Sequence, residues 1–206
     1  MKSIFAIILL AISTFANAGT SMTAQVYEKL DMAREVLIKS AAPYQRSLVV
    51  DELVEKMEMF DVDVKVSSHT IGGGAVYFPG VIIIGSDLAK LPREQLAFVL
   101  AHEYGHHMRA HWHDTLSRGV GLALKLKAGS SESSVDELLM YMSNAVTPET
   151  SHHDEYEADC ASVMLLKKYG IYNRQAIIDL MSVISTDDST STHPGATRRL
   201  QAIFAQ

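Results

Sequence analysis

The strongest constraint on this chain is a pair of histidines four residues apart, in the run His102-Glu103-Tyr104-Gly105-His106. On a helix, positions i and i+4 share one face and lie a turn apart. Two imidazoles so placed can reach one metal ion, and Glu103 beside them can act as base toward a water at that ion. The run must therefore be helical, and a second element must face it with the remaining ligands. Its flanks agree. Leu91-Pro92-Arg93-Glu94 places proline where a first turn tolerates it and an acid at the positive helix end. Leu96, Val99 and Leu100 extend the apolar face, and the pattern predicts a helix to about His111.

Composition decides which metal sites are open. Cys160 is the one cysteine, so neither an intrachain disulfide nor a multi-thiolate site can form. Nine histidines leave imidazole and carboxylate as the available ligands. Against 24 acidic residues stand 18 basic ones, a net charge of −6, which lacks the basic footprint of a nucleic-acid binder. At 206 residues and 48% apolar, the chain is long and apolar enough for one globular domain.

The first eighteen residues read as a targeting segment. Lys2 is a positive start, Ile4 to Ile12 a short apolar run, and Ala16-Asn17-Ala18 a small-residue cleavage site. The expectation is a signal peptide cut after Ala18, export to a bacterial periplasm, and a mature domain of residues 19–206. Loss of Lys2 takes the net charge from −6 to −7. No later segment is apolar for long enough to span a bilayer, so no stable transmembrane anchor is expected.

Between leader and motif, Val26, Leu30, Ala33 and Leu37 keep a helical spacing. Pro43 is expected to open a second helix, with Leu48, Leu53, Met57 and Phe60 inward. Asp61 to Val66 alternates strictly and reads as a half-buried strand. Gly72-Gly73-Gly74 is a break. Ala75 to Phe78 and Val81 to Ile84, split by Pro79-Gly80, read as two strands joined by a turn or as one bent edge strand. After the motif, residues 114–150 contain the soft stretch Gly129 to Ser134, a plausible lid between two helices. A helix from Asp154 to Tyr169 should stop at Gly170. Asn173 can cap another, Thr186 to Thr192 is a polar loop, and His193-Pro194 leads into a last helix ending near Phe204.

A catalytic zinc takes three protein ligands and keeps one position open. The downstream candidates are His152, His153, Glu155, Glu157 and Asp159. Glu155 and Asp159 are one turn apart on a predicted helix, so one can bind zinc while the other accepts a hydrogen bond from a ligand imidazole.

The HExxH run followed by Glu155-Tyr156-Glu157-Ala158-Asp159 resembles the gluzincin zinc peptidases of the HtpX and CAAX-prenyl-protease type, the M48 peptidases. His111, the strand region Gly74 to Ile84, and Ser191-Thr192-His193-Pro194 with Arg199-Leu200 also match, so the resemblance covers about residues 45–206. It implies an α+β fold, mainly helical and zincin-type, with a small sheet or edge strand before the HExxH helix. It implies one Zn²⁺ held by His102, His106 and Glu155, with Asp159 orienting a ligand histidine. Glu103 is implied as the catalytic base. His193 is implied as a transition-state donor or, alternatively, as a resting zinc ligand. His107 and Cys160 depart from the family pattern, and the membrane helices of many relatives are absent, which argues for a minimal exported form. The expected activity is endoproteolysis of unfolded or damaged envelope proteins. The competing expectation is a non-proteolytic, zinc-containing, chaperone-like module that binds such clients.

Overall fold

The computed structural model describes residues 22–71, 74–115, 148–184 and 193–205. The predicted leader, the soft stretch at 129–134 and the polar loop at 186–192 lie outside these residues. The chain divides into two compact units, residues 1–42 with 113–146 and residues 43–112 with 147–206. Among the described residues of the first unit, helix α1, Met22–Ser40, has Leu37 buried. Among the described residues no helix is long and apolar enough to cross a membrane.

The second unit contains the motif and its surroundings. It begins with strand β1, Tyr44–Gln45, and helix α2, Leu48–Lys56, whose Val50 N–H donates to the capping Ser47 hydroxyl at 3.4 Å. This corrects the helix expected from Pro43. Tyr44 and Gln45 are taken by the sheet, opposite Ser67 and Val66, and the helix cannot start until that pairing ends. Leu48 lies roughly 200° round the helix from Val50, off the face that Val50, Leu53 and Met57 share. Val50, Leu53 and Met57 are buried, whereas Leu48 is 69% and Phe60 72% exposed. Glu58, at φ 55°, breaks the period just before Phe60, and Met59 fills the core in its place.

Strand β2, Asp63–Ser67, starts two residues later than the alternation predicts, because Asp61 turns away to accept from Tyr104 at 2.7 Å. Strands β3, Ala75–Phe78, and β4, Val81–Ile84, form an antiparallel hairpin across Pro79-Gly80, with Gly80 at φ 77°. The strand order is β1-β2-β4-β3, with β2 and β4 parallel. Ala75 to Ile84 are thus two strands joined by a turn, and β3 is the outer of them. All four β4 residues are fully buried, as an unbroken apolar run is when both faces and both edges are covered.

Helix α3, Arg93–Met108, packs on β3 and β4 and carries the whole HExxH run. It ends earlier than expected. Ala110 adopts φ 55°, and residues 111–115 are helical again. Helix α4, Pro148–Lys168, crosses α3; Gly170 follows at φ 67°. Asn173 Oδ1 accepts from Ala176 N–H at 3.1 Å at the start of α5, Arg174–Ile184. Helix α6, Ala196–Phe204, closes the unit. Residues from α2, β2, β4, α3, α4, α5 and α6 share one buried core.

Gly105 sets the approach of α4 to α3. A Cβ there would lie 2.7 Å from the backbone oxygen of Ala158 and 3.0 Å from its Cα. Backbone cannot swing aside as a side-chain tip can. In an open helix Gly→Ala stabilises by roughly 1 kcal/mol. Here we expect Gly105→Ala to destabilise by about 1–3 kcal/mol, the usual range for forced overpacking. Thermal unfolding checks the sign: the account requires a lower Tm, and a higher one would refute the close contact.

Candidate metal centre

One turn of α3 brings His102 and His106 together, with their Nε2 atoms 3.3 Å apart. Helix α4 supplies Glu155 from the other side. Its Oε2 lies 3.4 Å from His102 Nε2 and its Oε1 lies 3.5 Å from His106 Nε2. These three residues form a cluster able to hold a metal ion. His102 and Glu155 are buried in the helix crossing that Gly105 permits.

The back of the cluster is an ion-paired layer. Asp159, one turn after Glu155 and fully buried, meets His102 Nδ1 through Oδ1 at 2.9 Å. Arg199, from α6, grips the same carboxylate in a fork: Nη2 donates to Oδ1 at 2.6 Å and Nε to Oδ2 at 2.8 Å. Its Nη1 lies 3.7 Å from Glu155 Oε2. Burial alone would raise the Asp159 pKa, but the Arg199 charge and the hydrogen bonds from Arg199 and His102 hold it below the usual range. Burial likewise pushes Glu155 up, and the facing imidazoles of His102, His106 and His193 overcome it, leaving its pKa well below normal. For His102, burial lowers the pKa, yet the Asp159 and Glu155 carboxylates win and push it up to about 10. With no metal present, this pocket of negative charge therefore holds a proton on His102.

The Asp159–Arg199 pair gives a signed pH effect. A carboxylate with a depressed folded pKa stabilises fully above its unfolded value, about 3.9, and loses that contribution as pH falls through the folded one. Asparagine cannot ionise. The stability advantage of wild type over Asp159→Asn, read from urea midpoints on chelator-treated protein, should be largest between about pH 4 and pH 6.5, narrowing below as Asp159 takes a proton and above as the His102 proton that Asp159 helps hold is lost. A gap that widens as pH falls below about 4 would contradict the pairing.

The donor set fits a tetrahedral cation. A cation would take the place of the extra proton on His102: the ring would keep its proton on Nδ1 facing Asp159 and offer its Nε2 lone pair toward His106 and Glu155. Zinc bonds of about 2.0–2.1 Å at tetrahedral angles require donors roughly 3.3–3.4 Å apart. The observed separations of 3.3, 3.4 and 3.5 Å sit at that spacing. Glu155 Oε2 is buried without a hydrogen-bond partner, an orphan that a cation would satisfy.

Glu103 follows His102 on α3 and is partly exposed. Its charge is near enough to bias His193 and Arg199 toward their charged forms. His193, just before α6, has Nε2 3.6 Å from Glu155 Oε1, so it is also at this cluster. Burial lowers its pKa.

Two participants stand in the sequence only as parts of the resemblance, without a role at the site. Arg199 was noticed there only as part of a C-terminal element. Its signal was an arginine at an inward helical position, since Ala196, Arg199 and Ile203 are the buried residues of α6. His111 is buried, and its Nδ1 lies 2.8 Å from His106 Nδ1. His107 lies at a different place. It meets Tyr77 on the edge strand at 3.1 Å through Nδ1 and Asp61 at 2.8 Å through Nε2, tying β3 to α3.

No curated protein and no solved structure matches this chain. The profile of peptidase family M48, a family of metallopeptidases, matches residues 48–206, more than half of the chain. The match spans α2 to α6 and so includes every residue of the cluster. The chain belongs to peptidase family M48.

Proposed function

We propose that this protein is an exported zinc endopeptidase that hydrolyses unfolded or damaged envelope proteins in the periplasm. The observation that carries the reaction class is the convergence of His102 Nε2, His106 Nε2 and Glu155 at 3.3–3.5 Å, with Glu103 adjoining them on the same helix. His102, His106 and Glu155 are the ligands in this reading, one ion per chain. Zinc, when bound, supplies the positive charge that acidifies a water and polarises a peptide carbonyl. Glu103 takes the proton of the attacking water at its carboxylate and returns it to the leaving amine. His193 Nε2 donates to the carbonyl oxygen as that oxygen gains charge. Asp159, clamped by Arg199, keeps the His102 proton on Nδ1 and the ring in place.

The fold supports a polypeptide substrate. Among the described residues β3 is the sheet edge on one side of α3, and an unpaired edge accepts an extended peptide through main-chain hydrogen bonds with little sequence preference. The substrate compartment rests on the predicted leader. The test uses the purified protein with a casein-like unfolded substrate and a tightly folded one. Cleavage confined to the unfolded substrate and abolished by a chelator is expected. One bound zinc without any cleavage would favour the client-binding module instead.

A further inference from the structure

A second group of donors lies five residues beyond His106 and takes no part in the chemistry above. His111 is 5% exposed, and its Nε2 lies 3.4 Å from Glu157 Oε2. Asp154, one turn earlier on α4, shares a helix face with Glu157. His111, Asp154 and Glu157 offer three ligand atoms all within 4.8 Å of one another. His153, at the surface, has Nε2 3.6 Å from Glu157 Oε2.

We propose that His111, Asp154 and Glu157 form a second divalent-cation site, joined to the first by the hydrogen bond between His106 and His111. One buried imidazole and two carboxylates suit zinc and its first-row neighbours. The Glu157 side chain is 39% exposed, so water can complete the coordination sphere.

The two sites oppose each other through one proton. His106 and His111 face each other Nδ1 to Nδ1 at 2.8 Å, so one must donate and the other accept. When His106 gives its Nε2 lone pair to the first ion, its proton sits on Nδ1 and is donated to His111. His111 then carries its own proton on Nε2, toward Glu157. A cation on His111 Nε2 needs the reverse arrangement, which puts a proton on His106 Nε2. Filling both sites breaks this hydrogen bond. The second ion should therefore bind roughly ten- to a hundredfold more weakly than it would alone, the cost of one lost bond to a charged group. By linkage it loosens the first ion by the same factor.

Equilibrium dialysis of the full chain against zinc, with metal counted by mass spectrometry, tests this without reference to activity. Wild type should take up one ion and then, at higher zinc, a second. Glu157→Gln and Asp154→Asn, substitutions outside the first cluster, should keep the first and lose the second, with an unchanged circular dichroism spectrum. One ion in wild type at every zinc concentration, kept in Glu157→Gln, would overturn the proposal, as would two ions in Glu157→Gln. A wild-type chain whose single ion is lost in Glu157→Gln but kept in Glu155→Gln would uphold this site and overturn the proposed peptidase centre.

Discussion

Glu103→Gln should leave a protein that folds and holds zinc but hydrolyses peptides about 10²–10⁴ times more slowly, the usual contribution of a positioned general base. Glutamine matches glutamate in shape and keeps a hydrogen-bonding carbonyl, but it cannot take a proton from water. The loss should fall on kcat, because no ligand is removed and the edge strand is untouched. Zinc content separates this from trivial inactivation. His102, His106 and Glu155 remain at their mutual 3.3–3.5 Å, so the variant should bind zinc as wild type does. Activity within a few-fold of wild type, with zinc in place, would remove Glu103 from the mechanism.

Arg199→Met should cost the most stability. The arginine is buried, and its fork holds both oxygens of a fully buried Asp159. Methionine is similar in length and needs no solvation, so packing changes little. What changes is that Asp159 is left as a buried anion with only His102 to answer it. Removing one partner of a buried ion pair typically destabilises by about 3–5 kcal/mol. Urea unfolding of the chelated protein should show that loss. The double variant Arg199→Met with Asp159→Leu should recover part of it, since no charge is then stranded. Arg199→Lys should rescue poorly, because a point charge cannot grip both oxygens at once. Zinc affinity should also fall, by roughly 10–100-fold, as the support behind His102 loosens. A single variant as stable as wild type would show that the fork is ornamental.

Local spacing made part of this architecture legible. His102 and His106 are one helical turn apart whatever the rest of the chain does, and so are Glu155 and Asp159. Gly170 and Asn173 marked the end of α4 and the start of α5 by their own backbone and side-chain chemistry. The rest depended on breaks in the helical period and on pairing across distance. Leu48 sits off the face that Val50, Leu53 and Met57 bury, and Phe60 lies beyond the break at Glu58. Whether Ala75 to Ile84 forms a hairpin or one bent edge strand is open because strand order is invisible in sequence, and the parallel pairing with β2 puts Val81 to Ile84 inside the sheet. Arg199 went unassigned because its partners lie 40 and 44 residues away, at Asp159 and Glu155, on another helix. His111 became notable only when the turn at Ala110 folded it back against His106. Ligands within one turn are readable from residue type and spacing, whereas the groups that neutralise and orient them depend on how helices cross.

The central claim is that one cation at His102, His106 and Glu155 is what makes this fold a peptidase. The most direct test is to strip the protein with a chelator, add zinc back in sub-stoichiometric steps, and follow hydrolysis of an unfolded substrate at each step. The account predicts no activity in the stripped protein and a linear return that reaches its maximum at one equivalent of zinc. Full activity in metal-free protein, or none at any loading of a folded, zinc-bound chain, would contradict it.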